Sequence, residues 1–168
     1  MSVVIDADGR FSGYASIFGR RDQGGDIVMP GAFAASLALR GPARIRLLFQ
    51  HDPKEPVGVW EEAVEDATGL KVAGRLLEGV PRAASLRHLI AQGGLDGLSI
   101  GFRAVRATRE QRSGTRRLWA LDLWEISIVT FPMMDAARIG AAPGGDAARL
   151  AATLGAAARL MRTKKDGQ

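Results

Sequence analysis

Residues 116 to 132, "RRLWALDLWEISIVTFP", form a long and almost continuously apolar strand pattern. A strand of that kind is covered on both faces, so the chain must build a sheet deep enough to bury it. Pro132 ends the run, because proline cannot donate to a strand ladder. Near its centre stands Glu125. A buried carboxylate costs several kcal/mol unless it is paired or hydrogen-bonded. Glu125 therefore needs a partner. Two remain open: one of the many arginines, or an imidazole that the carboxylate orients.

The other segments read as company for that strand. "GLDGLSIGFRAVRATRE" precedes it across the turn "QRSGT". "GRFSGYASIF" is a strand that leads into the polar loop "RRDQGGD". Pro30 opens a short helix with Phe33 and Leu37 on one face, and Gly41 stops it. "RIRLLFQHD", "PVGVWEEAVED" and "GLKVAGRLLE" are three further strands, the last two joined through the polar "EDATG". Pro81 opens a second helix whose apolar stripe is Ala83, Leu86, Leu89 and Ile90, with Gly93 past its end. Strands in hairpin order with a helix between the halves predict an α+β fold. Its core is a mostly antiparallel β-barrel or sandwich with a few flanking helices.

The 168 residues suit one domain with a proper core. Composition shifts after Ile139 to alanine and glycine, which predicts a folded domain over 1–139. Residues 140–168 then read as a linker, a marginal amphipathic helix through Leu150, Leu154 and Met161, and a basic tail. With no cysteine, thiolate metal sites, disulfides and a cysteine nucleophile are all excluded. No apolar run reaches membrane-span length, and the N-terminus carries no secretory pattern. The net charge of +5 permits an acidic partner. The arginines behind it are not interleaved with aromatics, so nucleic-acid binding is disfavoured. The aspartates are scattered at spacings that build no metal loop, and no phosphate-binding glycine loop is present. No cofactor is expected.

Three residues carry the chemistry that is left. His51 ends the apolar run "RLLFQ" where the chain turns, so its ring can be both anchored and exposed. Ser99 lies in "DGLSIGF", where Leu98, Ile100 and Phe102 alternate with Ser99 and Gly101. The small face leaves space beside a hydroxyl. Glu125 is the buried acid. Serine becomes a nucleophile when a base takes its proton, and an acid on the far imidazole nitrogen orients that base. "GLSIG" has the letters of a nucleophile elbow, but strand continues after it instead of a helix. An α/β-hydrolase is thereby disfavoured.

The segments "GYASIFGRRDQGGDIVMPGAF", "LLFQHDPKEPVGVW", "GLKVAGRLL", "GGLDGLSIGF" and "LWEISIVTFPMMDAARI" occur in an order that resembles the prohead proteases of tailed bacteriophages. Those enzymes are similar in fold to the herpesvirus assemblins. The resemblance implies a serine endopeptidase that cuts scaffold segments from the major capsid protein during procapsid maturation. It implies a place inside the assembling procapsid, in the cytoplasm of the bacterial host. It assigns His51 as general base, Ser99 as nucleophile and Glu125 as the acidic third member. The assemblins use a second histidine there, but His88 sits on a charged helix face. "PMMDAA" departs from the family's "PAN" after the long strand, which leaves the role of that loop open. Self-association and self-cleavage also stay open. A non-catalytic capsid assembly or scaffold protein, or a basic DNA-binding module, is the alternative.

Overall fold

The computed structural model describes residues 4–140. The expected boundary near residue 140 and the helix through Leu150, Leu154 and Met161 concern residues beyond those described. The elements in order are β1 (Arg10–Ile17), β2 (Asp26–Val28), α1 (Ala34–Arg40), a 3-10 turn (Pro42–Arg44), β3 (Arg46–Phe49), β4 (Asp52–Glu65), β5 (Gly69–Leu76), α2 (Pro81–Ala91), β6 (Gly97–Arg109) and β7 (Arg116–Val129). The seven strands form one half-barrel sheet flanked by the two helices, which is the expected fold class.

The apolar run of residues 116 to 132 becomes β7, the hub of the sheet. β6 pairs with it antiparallel along its whole length, while β3 and β2 run parallel to it. The path continues from β3 through β4 and β5 to β1. Residues from both helices and every strand meet in one core that includes Phe33, Leu47, Leu70, Leu86, Leu98 and Ile126. Phe11 and Trp60 pack edge to face there, with ring centroids 5.6 Å apart.

Turn chemistry falls where the sequence puts it. Gly41, at φ 65°, closes α1 with its N–H on Leu37 O. Asp66 Oδ1 accepts the N–H groups of Thr68 and Gly69 at 2.7 and 3.0 Å, which shapes the β4–β5 hairpin.

Four details differ from the expectation. β2 emerges from the end of a stretch read as loop and helix start, because three residues suffice to pair with the start of β7. The "RIRLLFQHD" strand breaks at Gln50 and His51, so β4 begins at Asp52. Leu89 is 44% exposed, so the buried stripe of α2 is Ala83, Leu86 and Ile90. β7 is not covered on both faces throughout: Trp124 is half exposed and donates its indole N–H to Asp122.

Beyond β7, residues 137–140 strap β1 to the start of β6. Leu98 and Tyr14 donate their N–H groups to Ala137 O and Arg138 O, and Gly140 donates to Ser12 O at 2.7 Å. A Cβ at Gly13 would overlap the Arg138 carbonyl and approach Ile139 Cα to 2.9 Å. Both are backbone groups that cannot step aside cheaply. Gly13→Ala should therefore destabilise the fold by about 1–3 kcal/mol, read as a lower midpoint in chemical denaturation. An unchanged midpoint would mean that the strap does not pack on β1 in solution.

Candidate active site

Phe49 and Asp52 are register partners, so Gln50 and His51 alone make the turn between β3 and β4. Both have positive φ, 56° and 57°. Tight hairpins need that conformation, and asparagine or glycine normally supplies it. In a Gln–His pair it costs on the order of 1 kcal/mol per residue. Contacts to β7 and the residue just past it hold the turn. Gln50 N–H donates to Ile128 O at 3.0 Å, Gln50 Nε2 donates to Thr130 Oγ1 at 2.6 Å, and His51 N–H donates to Ser127 Oγ at 3.1 Å.

The turn brings the imidazole to the carboxylate. His51 Nδ1 lies 2.6 Å from Glu125 Oε1. The other oxygen, Oε2, accepts the Ser127 hydroxyl at 2.6 Å. Glu125 is thus bonded on both oxygens, with its side chain 13% exposed against 43% for His51. An ionised carboxylate only accepts, so Nδ1 carries the proton and Nε2 keeps its lone pair. The hydrogen bond to Glu125 raises the His51 pKa above its ordinary value, burial opposes it, and the carboxylate charge adds to the rise. The contact therefore contributes stability that is fully present below the ordinary imidazole value, about 6.5. It is lost as pH rises through the raised one.

Ser99 reaches the same place from β6. Its partner on β7 is Ser127, and Gly101 pairs with Glu125. Directly paired residues share a sheet face, so Ser99, Gly101, Glu125 and Ser127 lie on one side. The Ser99 hydroxyl takes no part in the hydrogen bonds that hold Glu125. Ser99 is itself mostly buried, 7% exposed, and borders a mostly apolar pocket walled by Val28, Leu98, Phe102, Met133 and Met134. The "PMMDAA" loop is thus a wall of that pocket. Gln23 ties it to the β1–β2 loop through Met133 O at 2.9 Å and Asp135 Oδ1 at 3.0 Å.

The space beside Ser99 has two uses. Past Ser99 it is the pocket. At Gly101 it is filled by Glu125, since a Cβ there would overlap Oε1. Ser127 was missed in the sequence, although its period-2 spacing from Glu125 puts both side chains on one face. His88 lies on the exposed side of α2, and the imidazole that meets Glu125 is that of His51. Among the described residues no three His, Asp or Glu side chains group to hold a metal ion. An imidazole oriented by a carboxylate, on the sheet face that carries a serine, is the kind of arrangement general-base chemistry uses.

The fold is the herpesvirus-protease-like half-barrel. It is similar to the bacteriophage T4 capsid assembly protease, with a TM-score of 0.59 at 14% identity over 73% of this chain and 82% of that one. It is also similar to KSHV protease solved with a hexapeptide phosphonate inhibitor, with a TM-score of 0.50 at 13% identity over 77% of this chain and 63% of that one. Residues 2–147 match the Caudovirus prohead serine proteases, and the chain belongs to that family. It is 39% identical over 136 residues to the prohead protease of Enterobacteria phage HK97, covering 79% of this chain and 60% of that protein. It is 28% identical over 124 residues to the prohead protease of Escherichia phage T5, covering 73% and 58%. The chain thus spans about three fifths of the length of these relatives.

Two substitutions probe the carboxylate without touching Ser99. In Glu125→Gln the His51 pKa should fall, because the charge and the accepting oxygen that raise it are gone. An NMR titration of the imidazole reads this, and an unchanged value would contradict the contact. Gly101→Ala puts a Cβ against Oε1, Cδ and Cγ of Glu125, so the carboxylate must shift from its partners and the protein should lose about 1–3 kcal/mol of stability. The substitution should also lower the His51 pKa in the same titration.

Proposed function

We propose that this chain is a serine endopeptidase of procapsid maturation, with Ser99 as nucleophile, His51 as general base and Glu125 as the acid that orients the base. The observation that carries the reading is the 2.6 Å contact between His51 and Glu125 on the sheet face that bears Ser99. Family membership supports the reaction class.

His51 Nε2 takes the Ser99 proton as Oγ attacks the carbonyl carbon of the peptide bond, and returns it to the departing amine. Glu125 steadies the imidazolium formed in between. The resulting ester on Ser99 is hydrolysed by water, with His51 again the base. Ser127 and the absent side chain of Gly101 hold the carboxylate in place. The substrate is the major capsid protein with its scaffold segment, cut inside the assembling procapsid in the host cytoplasm.

Co-expression with the major capsid protein of the same phage or phage-like particle, followed by intact-mass measurement, tests this. The wild-type protein should shorten the capsid chain. Ser99→Ala and His51→Ala should each slow processing roughly ten-thousand-fold or more, with little further loss in the double variant. The rate should also fall as pH drops through the raised His51 value, so the acid limb lies above about 6.5. Processing by Ser99→Ala would remove Ser99 as the nucleophile, no processing by the wild-type protein would favour a non-catalytic assembly protein, and a flat profile through that range would remove His51 as the base.

A further inference from the structure

The two edges of β6 differ. One pairs with β7 from Gly97 opposite Val129 to Arg109 opposite Arg116. The other makes backbone hydrogen bonds only at its start, where Leu98 N–H meets Ala137 O and Gly97 bridges Arg138; from Ser99 to Phe102 it borders the pocket beside β1, and beyond that it is exposed. From Ser99 onward that edge pairs with no strand among the described residues.

Residues 103–109 are exposed throughout, and Arg103, Arg106 and Arg109 stand along them. Arg106 and Arg109 form no ion pair among the described residues. Arg109 Nη1 donates only to Gly114 O, at 3.3 Å. Arg103 comes no closer than 3.8 Å to Asp122, with 69% of its side chain exposed. Elsewhere Arg40, Arg116 and Arg138 each meet a carboxylate at 2.8 Å or less. The sole acid between residues 97 and 112 is Glu110, which already accepts the Ser113 hydroxyl.

We infer that the free edge of β6, from Ser99 toward Arg109, receives one flank of the polypeptide being cut as an added strand, and that this flank is acidic. The inference rests on the reading of Ser99 as the nucleophile. An added strand satisfies the bare N–H and C=O groups of the edge in a sequence-tolerant way. The arginines then supply selection, because a guanidinium binds a carboxylate through a paired fork of hydrogen bonds. Ser99 to Arg109 spans about 33 Å of strand. The acidic residues therefore fall about four to ten positions from the cut. Charges on a bare edge also discourage two copies from pairing, but either sign serves that purpose. Here the sign is uniform and the row begins four residues beyond Ser99, at Arg103. Residues 103–109 hold no aromatic side chain, and the neighbouring Trp119 is tied to Thr108 Oγ1 through its indole N–H, which favours polypeptide over nucleic acid.

Fluorescence anisotropy on the Ser99→Ala protein tests this without turnover. The probe is an extended peptide of about 14 residues with alternating Asp and Glu on one flank. It should bind at least about tenfold more tightly than its Asn/Gln counterpart, and Arg106→Glu/Arg109→Glu should erase the difference. The preference should shrink as salt rises. Equal binding of the two peptides would overturn the inference, as would an unchanged preference in the arginine variant. A single-stranded DNA oligomer of equal charge that binds more tightly than the acidic peptide would overturn it in favour of nucleic acid. Cleavage of a short peptide without the flank by the wild-type protein checks Ser99 separately. Its absence would overturn the protease reading and leave the binding result standing.

Discussion

The structure turns on one carboxylate. Glu125 sits mostly buried in the middle of the most apolar strand of the chain, where an unpaired charge would cost several kcal/mol. Its environment answers that cost on every side. The His51 imidazole takes one oxygen, the Ser127 hydroxyl takes the other, and Gly101 across the ladder leaves the volume empty. Ser127 does double duty, because its oxygen also accepts the backbone N–H of His51. Carboxylate, ring and strained turn are one hydrogen-bonded unit, and removing any member leaves another unsatisfied.

That unit explains the topology around it. β7 must touch β3 on one side and β6 on the other, since β3 delivers the histidine and β6 delivers Ser99 and Gly101. A parallel β3 beside β7 lets its hairpin turn fold back over Ser127 and Glu125. The positive φ of Gln50 and His51 is the local cost of aiming the ring, and contacts to β7 keep the turn in that state. Such strain concentrates where a side chain must be held in one place.

Much of this was legible in the sequence, for physical reasons. Period-2 alternation, turn residues and helix punctuation report local structure, and they marked most of the strands and both helices. A charged residue in an apolar run reports an unpaid desolvation cost, so Glu125 announced that it had a partner. The identity of that partner did not follow from periodicity, because it depends on which strands become neighbours. The same gap hid Ser127: a serine in an apolar strand looks inert until its cross-strand and same-face neighbours are known. It also hid the parallel pairing of β2 and β3 with β7, which no local pattern encodes. Trp124 and Leu89 show the opposite error, in which apolar character was read as burial although both stand half in solvent.

The central claim is that the oriented imidazole works on Ser99 and not on its neighbour Ser127. The two serines face each other across β6 and β7, but Ser127 is fully buried and its hydroxyl is committed to Glu125. Treatment with a peptidyl phosphonate, followed by peptide mapping by mass spectrometry, distinguishes them directly. The account predicts a single adduct on Ser99 that forms in the wild-type protein and fails to form in His51→Ala. An adduct on Ser127, or labelling of Ser99 at the same rate without His51, would contradict it.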